Sequence, residues 1–350
     1  MNHISDYSSG RDNNFNLMRF VAASMVLFSH SFALTLGSGD FEPLRFKLGM
    51  TLGGIAVDVF FVTSGFLVCG SYLNNNNFLN FWWARILRIY PALLVAIIVT
   101  TFIIGPFFTS LEIMDYLADV KIYLYIFYNS TLIFGLVNQL PGVFIDVPYA
   151  GVVNSSLWTL PYEVRMYFIL SAFLYFLNYM KLKPITIRAV IAYFALIFLF
   201  LHLINNFIGF YDGKFIRLCA MFFVGASCFL WRGEIPVSIM IIVISVISLF
   251  VAQIHKDLFF VVYYLVLPFL VFSLAYVPSG LVRKYNLLGD YSYGIYIYAF
   301  PIQQSIASLN PSVSVLSMVV LSFSITLVLA IFSWHFIEKV ALRAKVIATT

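Results

Sequence analysis

Ionisable side chains are costly in hydrocarbon and tend to mark function there. Several stand in otherwise apolar stretches of this sequence. Arg19 and His30 share the first such stretch, eleven positions apart. At 100° per residue they return to within about 20° of one helix face, about 16 Å apart along the axis. Asp58 lies nine residues in from the outer end of the second stretch, and His30 six from the outer end of its own. A carboxylate that accepts the Nδ1 proton of an imidazole fixes its tautomer and raises its basicity, as general-base catalysis requires. Plainer roles compete. Arg19 suits a snorkelling anchor, His30 a core imidazole bonded to a neighbouring helix, and Asp58 a protonated bond between helices.

A second group opens the fourth apolar stretch, Ser156-Leu-Trp-Thr-Leu-Pro-Tyr-Glu163-Val-Arg165. Ser156 is placed to cap the helix and Pro161 to sit in its first turns. Glu163 and Arg165 are two apart and so do not face each other. Each needs a partner elsewhere, a wet cavity or the interface. Arg85 and Arg88 are three apart, on one helical face beside Trp82 and Trp83, ahead of the third stretch. Two adjacent guanidiniums suit a phosphate, and equally a lipid headgroup. His202, His255 and His335 have no partner that spacing identifies, and Glu338-Lys339 reads as the close of the last stretch.

The elements that must position these groups follow from composition. Of 350 residues, 62% are of the AVILMFWYC set and only 10% are charged; the mean hydropathy is +0.96. A soluble fold carries about 25% charged residues. Disorder, a coiled coil, a disulfide scaffold and a cytosolic enzyme are thereby excluded, and the 38 Phe and 22 Tyr fit aromatic girdles at two membrane interfaces. The net charge of +5 is scattered, which points to orientation and not to nucleic acid. Cys69, Cys219 and Cys228 fall in apolar runs and read as packing residues. No metal site is expected.

A hydrocarbon core about 30 Å thick takes about 20 helical residues to cross. The expected fold is all-α, a polytopic bundle of about ten transmembrane helices. They fall near 15–36, 49–72, 90–110, 157–180, 185–205, 214–231, 235–253, 258–277, 287–309 and 312–335, in one domain over 1–350. The polar first twenty residues, with Arg11 and Arg19, do not resemble a cleavable signal. Ile122–Val137 is too short for a span and is interrupted by Asn129, Ser130 and Thr131; it suits a re-entrant or interfacial piece. Ten spans put thirteen Lys and Arg on the N-terminal side, among them Arg11, Arg85 and Arg88, and six on the other. That bias places both termini in the cytoplasm. An eleventh span at 122–137 would move nine of the thirteen outside. Residues 111–156 then form a long outer loop, and Asn74–Asn77 is turn material.

Taken in order, these pieces resemble the acyltransferase-3 family of integral membrane acyltransferases, which includes bacterial O-antigen and exopolysaccharide O-acetylases. The matching pieces are Arg19-X10-His30, Asp58-Val-Phe-Phe-X-X-Ser64-Gly65-Phe66, Arg85-X-X-Arg88 ahead of Pro91, Ser156-Leu-Trp-X-Leu-Pro-X-Glu163, Ser292-Tyr293-Gly-Ile-Tyr and Phe336-Ile337-Glu338-Lys339. Ala299 stands before Phe300-Pro301 where the family often has His, and Val340 follows Lys339 in place of Pro. The chain ends at Thr350, soon after the last expected span, which resembles the members without a fused periplasmic domain.

The resemblance implies a bacterial inner-membrane O-acyltransferase that moves an acyl group, usually acetyl, from cytosolic acyl-CoA to a sugar hydroxyl outside. Acyl-CoA is then a donor substrate and no cofactor is permanently held. The partners are acyl-CoA, a surface or lipid-linked carbohydrate and membrane lipid, with no nucleic acid; a homo-oligomer is left open. Arg19, Arg85 and Arg88 would form a cationic mouth for the CoA phosphates. His30 would deprotonate the acceptor or carry the acyl group. Glu163 would orient the acceptor or share the proton, and Asp58 would hold His30 or serve structure only. A proton-coupled transporter or flippase is the competing class, although no inverted repeat is visible. A non-catalytic scaffold is the blandest reading, and the ionisable residues clustered in the first four spans argue against it.

Overall fold

A computed structural model describes residues 2–8, 10, 12–75, 77–209 and 213–347. Arg11, Asn76 and the terminal Thr350, used in the sequence reading, lie outside the described residues. The described chain is helical and contains no strand. Ten helices of fourteen or more residues form a bundle: α1 (Phe15–Leu36), α2 (Leu52–Asn75), α3 (Phe78–Val99), α4 (Leu160–Tyr179), α5 (Pro184–Ile208), α6 (Lys214–Leu230), α7 (Ile239–Ala252), α8 (Lys256–Tyr276), α9 (Ser292–Leu309) and α10 (Val315–Ser333). Seven of these, α1 to α5, α8 and α10, are long and apolar enough to cross a membrane. Among them α2 is the most buried and α5 and α10 the least, so α2 forms the axis around which the others pack.

Reciprocal close approach fixes how α2 meets α6. A Cβ on Gly65 would lie 1.8 Å from the Phe222 carbonyl oxygen, and one on Gly225 2.0 Å from that of Val62. Only glycine lets the two backbones touch in this way, as at small-residue crossings in membranes. On α2 the residues Asp58, Val62 and Gly65 recur at helical spacing and face α6. Val57, Phe61 and Ser64 form the neighbouring stripe, turned by about 100°, and face the bundle interior.

Three element boundaries differ from the sequence expectation in ways that matter. The third helix begins at Phe78, not near 90, because the Asn77 side chain caps it by accepting from Asn80 N at 3.1 Å. Arg85 and Arg88 therefore lie inside a helix and not in a loop. This helix runs on through a π turn, Thr100–Ile104, to Phe108. The widened turn leaves the Thr101 carbonyl to accept from the Tyr116 hydroxyl at 2.8 Å. The seventh helix is only Ile239–Ala252, because the preceding residues pair with the chain start. Ile4 N donates to Ile235 O and Val237 N to Asn2 O. The ninth begins at Ser292, after a 3-10 coil over Gly280–Leu287 and Gly289 at φ 134°.

The awkward run near 122–137 is a twelve-residue helix, Val120–Thr131, and a return. At about 18 Å it is too short to cross. It lies against α3 and its extension from the level of Thr101 to that of Tyr90, whose hydroxyl donates to Thr131 O at 3.3 Å. Asn129 closes the hairpin by bonding both Val137 O (2.8 Å) and Val137 N (3.1 Å). This is a helical hairpin packed beside α3, shorter than a span.

Candidate active site

Inside the bundle, α1, α2, α3, α4 and α9 enclose a cavity of about 90 Å³. Ser64 reaches it from the interior stripe of α2, and Glu163 and Tyr167 from adjacent turns of α4. Tyr167 donates to Glu163, four residues back, and lies 3.0 Å from Ser64 Oγ; Ser64 in turn donates to Glu163 at 3.4 Å. Thr159 and Tyr296 close one wall with their hydroxyls 2.6 Å apart. A carboxylate, a phenol and a hydroxyl in mutual contact can bind a substrate hydroxyl and move its proton.

At the Phe15 end of α1 the same cavity is lined by Arg19 and Arg88. Arg88 is bonded to Asp290 and lies 3.6 Å from Glu338; Arg19 lies 3.6 Å from Asp290. Two cations and two carboxylates form one compensated cluster. Asp290 precedes α9 and accepts from Ser292 N at 3.3 Å, an aspartate turn that starts the helix. Burial alone would raise its carboxyl, but Arg88 and then Arg19 outweigh that and hold it below the usual range. Sequence reasoning passed over Asp290 and gave Glu338 only a capping role. The signal was present in Asp290-Tyr-Ser292 directly ahead of an apolar run, a helix-start pattern.

Arg85 is not in this cluster. Its Nε has no hydrogen-bond partner, and no carboxylate pairs with it among the described residues. Its guanidinium lies 4.7 Å from the Phe81 ring and 5.8 Å from that of Tyr167. It opens into a second cavity, a groove of about 830 Å³ between α3 and α4. The reading of Arg85 and Arg88 as one phosphate clamp is therefore corrected. Three residues on a helix leave two side chains about 60° apart, and α4 packs between their directions, so each faces its own cavity. Arg165 is also in the groove, donating to Ile133 O at 3.2 Å, while Glu163 faces the inner cavity.

Asp58 does not hold His30. Its carboxylate accepts from Arg217 Nε at 2.8 Å and from the Tyr263 hydroxyl at 3.0 Å, because it lies on the Gly65 stripe of α2 that packs on α6. His30 is half-buried, with Nδ1 unpartnered. Its ring stands edge-on to Phe300 at 5.3 Å, and Phe300 meets Tyr149 of the long loop at 6.3 Å. Phe300 is one helical turn beyond Tyr296, so His30 stands just past the cavity and not on its lining. Neither nitrogen of His202 has a partner among the rings of Phe260 and Tyr264. No group of three His, Cys, Asp or Glu side chains able to hold a metal occurs among the described residues.

One residue from each of five motifs, Arg19, Ser64, Arg88, Glu163 and Ser292, thus lines one interior chamber, while His30, Asp58 and Arg85 do not. The acyltransferase-domain profile of the acyltransferase-3 family matches residues 12–335, nearly the whole chain. The chain belongs to this family. It is 30% identical over 342 residues to a protein named O-acetyl transferase from Shigella phage Sf6, covering 94% of this chain and 96% of that one. It is also 35% identical over 179 residues to nodulation protein 10 of Rhizobium leguminosarum bv. viciae, over 48% of this chain and 45% of that protein. No solved structure matches it significantly. As a member of the family the chain is a membrane acyltransferase, and the inner cavity is its candidate active site.

Proposed function

We propose that this acyltransferase moves an acetyl group from cytosolic acetyl-CoA to a hydroxyl of a surface or lipid-linked carbohydrate. The name of the phage relative, O-acetyl transferase, supports acetyl as the group and oxygen as its destination. The observation that carries the reading is the inner cavity itself, where Glu163, Tyr167 and Ser64 meet and Arg19 and Arg88 flank one end. In this reading all ten helices cross a bacterial inner membrane as one domain over 1–350, with both termini cytoplasmic. The thirteen-to-six charge bias supports that orientation.

The donor enters from the Phe15 end of α1, where Arg19 and Arg88 meet its phosphates. Its thioester extends along the cavity toward His30, on the same face of α1. A base takes the proton of the acceptor hydroxyl, the oxygen attacks the thioester carbonyl, and the CoA thiolate leaves and is reprotonated. His30, with an unpartnered Nδ1, is the base or a transient acyl carrier; Glu163 orients the acceptor or shares the proton. Asp58, bonded to Arg217 and Tyr263, keeps only its structural role. The test is acetyl transfer by purified protein in proteoliposomes, followed by mass spectrometry of the acceptor. His30→Ala that remains folded in the membrane is expected to abolish transfer. Transfer at the wild-type rate would overturn the His30 assignment, and substrate counterflow without thioester cleavage would replace the enzyme reading with a transporter.

A further inference from the structure

The groove between α3 and α4 has no part in that chemistry. Its rim is made of Ile86, Ile133 and Phe168, which are 39%, 59% and 57% exposed. Ile86 and Phe168 stand on helix surfaces turned away from the bundle and Ile133 on the bend after Val120–Thr131, in a protein whose outer face is apolar, so the groove opens sideways to hydrocarbon. Its lining is apolar except for the guanidiniums of Arg85 and Arg165. Arg85 has aromatic rings on two sides and no carboxylate at ion-pair distance among the described residues, Glu163 acting on it only from beyond Tyr167, and its Nε is buried without a partner. A half-buried guanidinium without an ion-pair partner can take up an anion, and its fork fits phosphate. A water-soluble anion reaches this opening only through hydrocarbon. A molecule with both a phosphate and an apolar chain reaches it by lateral diffusion.

We propose that the α3–α4 groove is a lateral port that binds a phosphate-bearing membrane amphiphile. The phosphate sits on Arg85, and the chain leaves between Ile86, Ile133 and Phe168. Tyr167 links this port to the active site. Its ring lies below Arg85 in the groove, while its hydroxyl touches Glu163 and Ser64 in the inner cavity. An amphiphile docked here is separated from the inner cavity by the side chains of Tyr167 and Ile89, which line both. That it is the acceptor's lipid anchor rests on the acyl-transfer reading; that it binds does not.

The test uses the full chain in detergent micelles, titrated with dioleoyl phosphatidic acid and read by native mass spectrometry. Dioleoylglycerol supplies the same chains without phosphate, and inorganic phosphate and coenzyme A supply soluble anions. The expected result is retention of phosphatidic acid at least tenfold above dioleoylglycerol. It falls at least tenfold in Arg85→Gln, is partly restored in Arg85→Lys, and is not displaced by either soluble anion. Ile133→Trp, at an exposed position of the hairpin bend, blocks the mouth without touching the charge and is expected to lower retention as well. Equal retention by wild type, Arg85→Gln and Ile133→Trp would overturn the port. Displacement by coenzyme A or inorganic phosphate would overturn the lipid and make the site one for a soluble anion. No acyl donor is present in this assay, so its failure leaves the acyl-transfer reading intact, and a loss of transfer leaves the port intact.

Discussion

Arg88 and Arg85 are the same residue type, three positions apart on one helix, and they end in opposite circumstances. Arg88 faces the inner cavity, where Asp290, Glu338 and neighbouring Arg19 make a compensated cluster. Arg85 faces the α3–α4 groove, beside the rings of Phe81 and Tyr167 and with no carboxylate at ion-pair distance among the described residues. A compensated buried charge supports the scaffold besides meeting any ligand, and removing one partner leaves the other stranded. An uncompensated one is scaffold to nothing and is available to a ligand. Pairing thus separates the two cavities: the inner one is held rigid by its own charges, and the groove waits for a charge from outside.

The largest effect is expected where the comparison concerns chemistry. Glu163→Gln keeps the side-chain volume and removes the basic carboxylate from the inner cavity. Acetyl transfer should fall by about 10²- to 10⁴-fold, the usual worth of a positioned acid or base. Phe168→Ala, which widens the groove, should cost no more than about tenfold. Rates measured side by side in proteoliposomes decide this, and comparable losses would erase the functional distinction between the cavities. Stability gives the next largest contrast. Arg88→Met leaves Asp290 and Glu338 with Arg19 alone and should destabilise the folded protein by about 3–5 kcal/mol. Arg85→Met strands no carboxylate and should shift stability by less than about 1 kcal/mol. Thermal unfolding in detergent tests the pair, and equal shifts would mean that Arg85 has a structural partner after all.

The kinetic contrast is smaller. Arg88→Lys keeps a charge but loses the fork geometry, and should raise the KM for acetyl-CoA about tenfold. Arg85→Gln should raise the KM for a lipid-linked acceptor by a similar factor. The diagnostic outcome is the split, and a rise in donor KM from both variants would restore the single phosphate clamp that spacing suggested.

How much of this was legible in the residues alone depends on which relation is asked for. Relations along one helix were legible. Arg19 and the position of His30 on the same face of α1, the separation of Glu163 from Arg165, and a run near 122–137 too short to span all follow from spacing and length. Relations between helices were not, because spacing says nothing about how far a helix is rotated toward each neighbour. Asp58 illustrates this. Its depth matched that of His30, yet it shares a stripe with Gly65, and that stripe is committed to α6 by the backbone contact at Phe222. The glycine was visible, and reading Asp58 together with it would have pointed to Arg217's helix. The Arg85–Arg88 pair failed for a related reason: an early helix start, set by Asn77, carried both residues into the packed bundle, where α4 divides their surroundings. Glu42 went unremarked altogether. It is buried, accepts from Ser29 and from Leu52 N, and so fastens the start of α2 to α1 from within a loop.

The smallest expected effect concerns Tyr167, which with Ile89 lines both cavities. Tyr167→Phe keeps the ring that lies under Arg85 and deletes only the hydroxyl held by Glu163 and Ser64. Those two groups can still bond to each other, since Ser64 already donates to Glu163 at 3.4 Å. The loss is then one hydrogen bond with a charged acceptor, about 1.5–3 kcal/mol at most, and the remaining contact reduces it further. The consequence should be one-sided. The transfer rate should fall about threefold to tenfold, because Glu163 is no longer fixed from the α4 side. Retention of phosphatidic acid in the groove should stay within about twofold of wild type, because the groove sees only the ring. Tyr167→Ala makes the complementary cut: without the ring the wall between the cavities is breached and both measurements should fail together. A phenylalanine variant that weakened lipid retention as strongly as transfer would show that the hydroxyl, not the ring, joins the two sites, and the division between a self-compensated chamber and an open port would have to be redrawn around a single continuous cavity.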